Sequence, residues 1–378
     1  MKAWKAFFAG DIVIQKPVIS DFLCDDLIEI IKAHNIVSCN FEAPLLAKNS
    51  YPIPKAGPNI FQCEQAAKIV VISGFNLISL ANNHIADYGK DNIKFTIDSF
   101  VGVTVVGAGM TYAECYGEKI IEIEGIKVGF LSFAEWGFGS TEDKGPGFAW
   151  INHPSVNNII LRLKDTVDVL ILQVHAGAEE VDIPLPEWRV RYRELIDLGA
   201  DIIIGHHPHV PQGWERYKKG YIFYSLGNFY FDIDNTDIQW NRGYAVSLSF
   251  IGSSVESYEV IPIEKTVDGV TICRDKEYKN HLEYLCKMLS DSNNYMELAN
   301  QQALLLWNER YKYYYLDALN GISNDSTIRK IAKVLIKRII KRGKINNLLL
   351  LHNIKIETHR YAVERALSLL EGKRGEEL

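Results

Sequence analysis

Residues 167–209 read VDVLILQVHAGAEEVDIPLPEWRVRYRELIDLGADIIIGHHPH. An apolar run (Val167–Val174) is followed by an amphipathic stretch (Leu185–Leu198) and by a second apolar run (Asp201–Ile204). Continuous Val/Ile/Leu runs of this length alternating with helical spacing predict a covered, largely parallel or mixed sheet, hence α/β layers. Both runs end in histidine: His175 after VLILQV, and His206, His207 and His209 after DIIIG.

The same texture extends outward. Further strands are expected at Ala6–Ile14, Ile36–Phe41, Leu77–Leu80, Thr104–Val106, Lys119–Ile123, Lys127–Phe133, Tyr221–Tyr224 and Tyr244–Phe250. Helices are expected at Asp21–Ala33, Glu64–Ser73, Lys90–Phe100 and Pro154–Lys164. Alternation of this kind predicts an α/β layered fold over residues 1–264. Beyond 265 the spacing turns helical (277–289, 295–319, 326–342 and 357–370), so residues 265–378 read as a helical C-terminal extension.

Composition narrows the function classes. The 378 residues are 47% hydrophobic and 23% charged, with formal charge −6, which is ordinary for a globular chain. Residues 1–264 carry 21 Lys+Arg against 33 Asp+Glu, and residues 265–378 carry 20 against 14. A net −12 on the layered part argues against nucleic acid as a partner. The segment 326–344 places Ile328, Ile331, Val334, Leu335 and Ile339 on one face among Arg329, Lys330, Lys333, Lys337 and Arg338. It reads as a surface helix packed on the main domain, or as a contact for a membrane surface or a protein partner. Six cysteines without C-x-x-C spacing make a disulfide framework unexpected. No run approaches the roughly 18 apolar residues of a spanning helix, and the apolar N-terminal run reads as a strand. The expectation is a cytoplasmic protein, with peripheral attachment to a membrane as the alternative.

Unusual polar residues follow the other strands too. Gly10-Asp11 interrupts the first, Asn40 and Glu42 follow IVSC, Asn82-Asn83-His84 follows LISLA, and Asn228 follows IFYSLG. Ligands gather at the carboxyl ends of strands in α/β sheets. Convergence would deliver imidazoles, carboxylates and amides to one crevice, a mixed N/O set that suits Mn, Fe or Zn, one or two ions. Two neighbouring cations clamp a phosphoryl group and acidify water, and a nearby histidine can protonate the leaving oxygen. His84 fits the latter role, with Asp87 to orient it or to cap a helix. Taken singly, each residue also has a structural role open to it: a turn at Asp11 or Asn228, a capped loop at Glu42, a core histidine at 175. Three histidines around Pro208 have no such explanation. His207 and His209 are the firmest metal candidates, with His206 behind them or on the substrate. There is no G-x-S-x-G, Walker A or H-E-x-x-H motif.

The succession AGD (9–11), NFEAPL (40–45), ANNHIADYG (81–89), HAGAE (175–179), IIIGHHPHVPQG (202–213) and YSLGNF (224–229) resembles the bacterial capsule-synthesis CapA (poly-γ-glutamate capsule, PgsA-like) family. That family is similar to calcineurin-like metallophosphoesterases. The resemblance implies a four-layer α/β/β/α sandwich with a dinuclear metal centre. It places Asp11 as the first metal aspartate, Glu42 with Asn40 in the bridging segment, Asn83 as ligand and His84 as general acid. His175, His207 and His209 become ligands, and Glu179 the acid of an H-W-G-x-E motif. The sequence departs from the pattern at Val13, where the D-x-H start has histidine, at NFEAP in place of G-D-x-x-D, and at Ala176 in place of Trp. The implied function is metal-dependent hydrolysis of a phosphoester or anionic polymer in capsule synthesis. The alternatives are a non-catalytic polymer- or carrier-binding component and chemistry at γ-glutamyl amide bonds.

Overall fold

In the computed structural model, which describes residues 2–17, 22–233, 238–319 and 345–376, the strands assemble into two principal sheets. The first contains β1 (Ala3–Val13), β2 (Ile36–Phe41), β3 (Leu77–Ser79) and β4 (Thr104–Val106), mutually parallel in that order. The second is built on β7 (Ile126–Ala134), β10 (Val169–His175), β11 (Ile202–His206) and β13 (Gly220–Phe223), also parallel, with antiparallel edges β6 (Lys119–Ile123) and β12 (Trp214–Tyr217). A small third sheet joins β5 (Ala108–Gly109), β8 (Ser140–Thr141) and β9 (Gly147–Ala149). On the other side of β1, the first sheet continues through antiparallel β15 (Arg242–Ile251), β16 (Ser254–Thr266) and β17 (Gly269–Ile272), while β14 (Asn228–Phe231) pairs parallel with the end of β1.

Period-two alternation explains the layers. Ala6 and Phe8 of β1 pack with Val169 and Ile171 of β10 between the sheets. Phe7 and Ala9 face outward with Leu27 and Ile31 of α1 (Asp25–Lys32), Val70 of α2 (Ala66–Ile72) and Ile93 of α3 (Lys90–Ser99). Leu170 and Leu172 face the opposite way, onto Ile160 of α5 and Trp188 and Leu195 of α6. Here α4 is the turn Tyr112–Cys115, α5 is Val156–Lys164 and α6 is Pro186–Leu198. The result is the expected α/β/β/α sandwich.

Helices follow from Lys276 on: α7 (Lys276–Ser290), α8 (Ser292–Leu306), a π turn at Trp307–Tyr311, α9 (Lys312–Leu319), α10 (Asn347–Lys355) and α11 (Glu357–Glu376). They join the outer core of the second sheet, where Met288, Tyr295, Tyr311 and Ala362 pack with Trp188 and Tyr192. The basic segment 326–344 lies outside the described residues. Among the described residues no helix is long and apolar enough to cross a membrane.

The inter-sheet layer changes character along the strands. It is apolar at Phe8 and Ile171. Further on, Gln173 donates to Ser38 (2.9 Å) and the Ser79 and Ser132 hydroxyls meet at 2.6 Å. Two residues beyond Ser38 and Gln173, on the same faces, stand Asn40 and His175. The strands thus deliver polar side chains to the carboxyl end of the sandwich.

Candidate metal centre

Asp11 sits where β1 breaks register with both neighbours, a bulge that re-aims a side chain. Gly10 makes the crossing possible, since a Cβ there would lie 1.9 Å from the Gly227 carbonyl oxygen. Gly205 does the same beneath the histidine loop, 1.9 Å from Tyr224 O. The loops carry strain as well: Ala43, His207 and His209 hold φ of 90°, 96° and 60°, a region costly for side-chain-bearing residues and concentrated at functional sites.

The expected residues meet. Asn40 Nδ2 donates to Asp11 Oδ1 (2.7 Å) and to His175 Nδ1 (3.1 Å). His175 Nε2 donates to Asn83 Oδ1 (2.9 Å), and His209 Nδ1 to Asn228 Oδ1 (3.0 Å). Asp11 Oδ2 accepts from the His207 amide (3.1 Å) and lies 3.5 Å from His209 Nδ1. Glu42 Oε1 faces His175 Nε2 at 3.6 Å, His209 Nε2 at 3.8 Å and His84 Nε2 at 4.0 Å. His206 is fully buried behind Asp11, its Nδ1 3.4 Å from Oδ1. Glu179 lines the crevice with Asn83, His84 and His207. Asp87 stands off the crevice and reaches it through His84, accepting from Nδ1 at 2.7 Å. Its other oxygen accepts from the buried Lys55 ammonium.

Electrostatics show what the cluster lacks. Both Glu42 carboxylate oxygens are buried without a hydrogen-bond partner, as are Asn40 Oδ1 and His207 Nδ1. Burial, with Asp11, Glu179 and Asp87 nearby, drives the Glu42 carboxyl well above its usual range. Burial would raise Asp11 too, but His206, His209 and Asn40 outweigh it and hold it below the ordinary value. His175 is pushed well below by burial and by the other imidazoles. A buried carboxylate with no donor costs several kcal/mol, roughly, unless a cation satisfies it. Two donor groups fit that purpose: Asp11, Glu42 and His175, and Glu42, His207 and His209, the ligand atoms of each within 4.8 Å of one another. Glu42 is common to both. The donor set therefore fits one or two divalent ions, with oxygen and imidazole but no thiolate.

The crevice has walls that the sequence patterns did not point to. Lys55, Glu135 and Trp136 line it together with Arg310, Tyr311, Tyr314, His352, Thr358 and His359 from the C-terminal helices. Glu135 had a readable signal, because it follows the apolar strand FLSFA as the other site residues follow theirs. Arg310 and Thr358 lie in helices where no local pattern separates them from surface residues.

The order of these residues along the chain has a match. The family described as "Bacterial capsule synthesis protein PGA_cap" aligns with residues 5–233. The chain belongs to this PGA_cap family. "Capsule biosynthesis protein CapA" of Bacillus anthracis is 35% identical over 224 residues, covering 56% of this chain and 54% of that protein. "PGA biosynthesis protein CapA" of Bacillus subtilis (strain 168) is 31% identical over 243 residues, covering 60% and 63%. The chain thus spans just over half the length of these curated relatives. A solved hypothetical protein from Thermus thermophilus superposes with a TM-score of 0.44 at 16% identity, covering 69% of this chain and 99% of that one. Every residue of the two donor groups lies inside the PGA_cap match, whereas Arg310, His352, Thr358 and His359 lie beyond it.

Proposed function

We propose that the chain is a divalent-metal-dependent hydrolase of the phosphoesterase type, acting on a phosphoester or anionic polymer in capsule or surface-polymer synthesis. The observation that carries this reading is Glu42: a buried carboxylate without a hydrogen-bond partner, ringed by imidazole nitrogens 3.6–4.0 Å away. Asp11, Glu42, Asn83, His175, His207 and His209 would hold the ions. Mn, Fe or Zn bound there would supply positive charge against a phosphoryl oxygen and acidify water at neutral pH. His84 is fixed by Asp87 with Nε2 toward the crevice. In this reading His84 gives a proton to the leaving oxygen. Burial and the Lys55 ammonium hold its pKa below the ordinary value, and Asp87 stabilises the imidazolium that a general acid requires. The capsule setting is supported by the family membership and by the names of the relatives.

Metal analysis of the purified chain, followed by hydrolysis of a bis-nitrophenyl phosphodiester, tests the proposal. His84→Ala should lower turnover by about 10²–10⁴-fold and leave the metal content unchanged. Failure of the wild-type chain to take up any divalent ion would sink it.

One observation favours a second reading. Val13, two residues after Asp11, packs in an apolar cluster with Ala43, Ile60 and Phe231, so that position offers no ligand. A centre with fewer ligands suits a component that binds an anionic polymer or carrier without turning it over. Metal uptake with no hydrolysis of phosphodiester or γ-glutamyl amide would select this reading.

A further inference from the structure

Glu135 follows β7 directly, and its backbone N–H donates to the His175 carbonyl at 3.0 Å. The side chain is buried, with Oε1 3.3 Å from His207 Nε2. Three donors hold the carboxylate. Thr358 supplies two, its amide to Oε2 and its hydroxyl to Oε1, both at 3.0 Å, and Gly177 N supplies the third at 3.3 Å. Thr358 Oγ1 is itself oriented by the Trp188 indole N–H at 2.8 Å. The clasp is reciprocal, since Glu357 accepts from the Trp136 amide (2.8 Å) and from Trp150 Nε1 (2.6 Å). Residues 135–136 and 357–358 therefore exchange hydrogen bonds, although 357–358 lie well beyond the PGA_cap match.

An imidazole that binds a cation through one nitrogen carries its proton on the other. An acceptor placed there fixes the tautomer, the ring plane and the basicity of the ligating nitrogen. His207 Nε2 faces Glu135, and Nδ1 is buried with no partner. Resting on the reading of this site as a metal centre, we propose that Glu135 is a positioning residue that presents His207 Nδ1 to the cation. Thr358 holds Glu135 in place, so docking of the C-terminal helix α11 and metal affinity are coupled. The C-terminal segment then completes a centre whose ligands all come from the layered part of the chain.

The test is calorimetric titration of Mn²⁺ and of Zn²⁺ into the metal-free, full-length chain, with hydrogen exchange of the α11 amides alongside. Thr358→Val should weaken binding by about 10–100-fold, while Thr358→Ser, which keeps the hydroxyl, should restore it. Metal should slow exchange in α11 of the wild type and do so less in Thr358→Val. Unchanged affinity in Thr358→Val overturns the proposal, and so does a lower unfolding midpoint of the metal-free variant with unchanged affinity. Glu135→Gln, of nearly equal volume, reads the same link should Thr358→Val not fold: a comparable loss is expected, and wild-type affinity overturns the proposal. A wild-type chain that binds neither ion instead overturns the metal centre itself, and is told apart by needing no variant.

Discussion

Glu42 is a buried carboxylate that the fold leaves unsatisfied. Its two oxygens are buried without donors, in the field of Asp11, Glu179 and Asp87. A folded chain accepts such a group only where a cation, or a proton, relieves it. Glu42→Gln should therefore raise the unfolding temperature of the metal-free protein. It should also abolish most of the further rise that saturating Mn²⁺ or Zn²⁺ brings to the wild type, which grows with ligand excess as about 2.7 kcal/mol at a hundredfold excess over Kd. Thermal unfolding with and without added metal checks both. A Gln variant less stable than wild type in chelator would show that Glu42 has a structural role instead. Much of this residue scale was legible in the chain itself, because Glu42, His175 and His207 each stand just past an apolar strand. Glu135 obeys the same pattern, but one carboxylate after a strand looks like any loop residue until His207 is seen beside it.

At the scale of elements, helix α6 is fastened to the edge of the second sheet by one carboxylate. Arg189 and Arg193, four residues apart on one helical face, both grip Glu215 of β12, each with an Nη2–Oε2 contact of 2.7 Å. Arg189 also donates to Leu289 O at the end of α7 (2.7 Å), drawing the C-terminal segment into the same knot. Burial alone would raise the Glu215 carboxyl, but Arg193, Arg189 and Tyr224 overcome it and bring it down to about 2. A carboxylate whose folded pKa is depressed contributes stability above its unfolded pKa and loses it as pH falls through the folded one. The knot should be worth about 3 kcal/mol near neutrality, fading from roughly pH 4.5 toward pH 2. Urea unfolding of wild type and Glu215→Gln across that window should show two curves converging at low pH, and a constant gap would refute the assignment. The strands expected from apolar runs are present with ends shifted by a few residues. β16 and β17 were not legible. β16 lacks clean alternation and carries Pro262 inside its one apolar run, Val260–Ile263, and its strand character comes from pairing with β15 over ten positions.

The whole molecule places the C-terminal helices against the outer core of the second sheet. Met288, Leu289, Tyr295, Leu306, Tyr311 and Ala362 share that core with Trp188, Tyr192 and Leu195. A chain stopped after Ile272 would leave these aromatics facing water, and exposed apolar surface on that scale drives association or loosened packing. Such a truncation should bind the dye ANS and lose near-ultraviolet circular dichroism, whereas cooperative unfolding with native near-ultraviolet signal would show the layered part to be self-sufficient. Residue order by itself determined the α/β class, a covered sheet left open as largely parallel or mixed, and the identity of the ligand candidates, because strand periodicity and apolar runs are local properties that survive without neighbours. Only the tertiary structure decided which nitrogen of His207 is left without a partner, that Asp87 meets the crevice through its hydrogen bond to His84, and that Thr358 and Arg310 wall the crevice. Those facts depend on distances between segments far apart in the chain, and no local preference of the chain encodes such a distance.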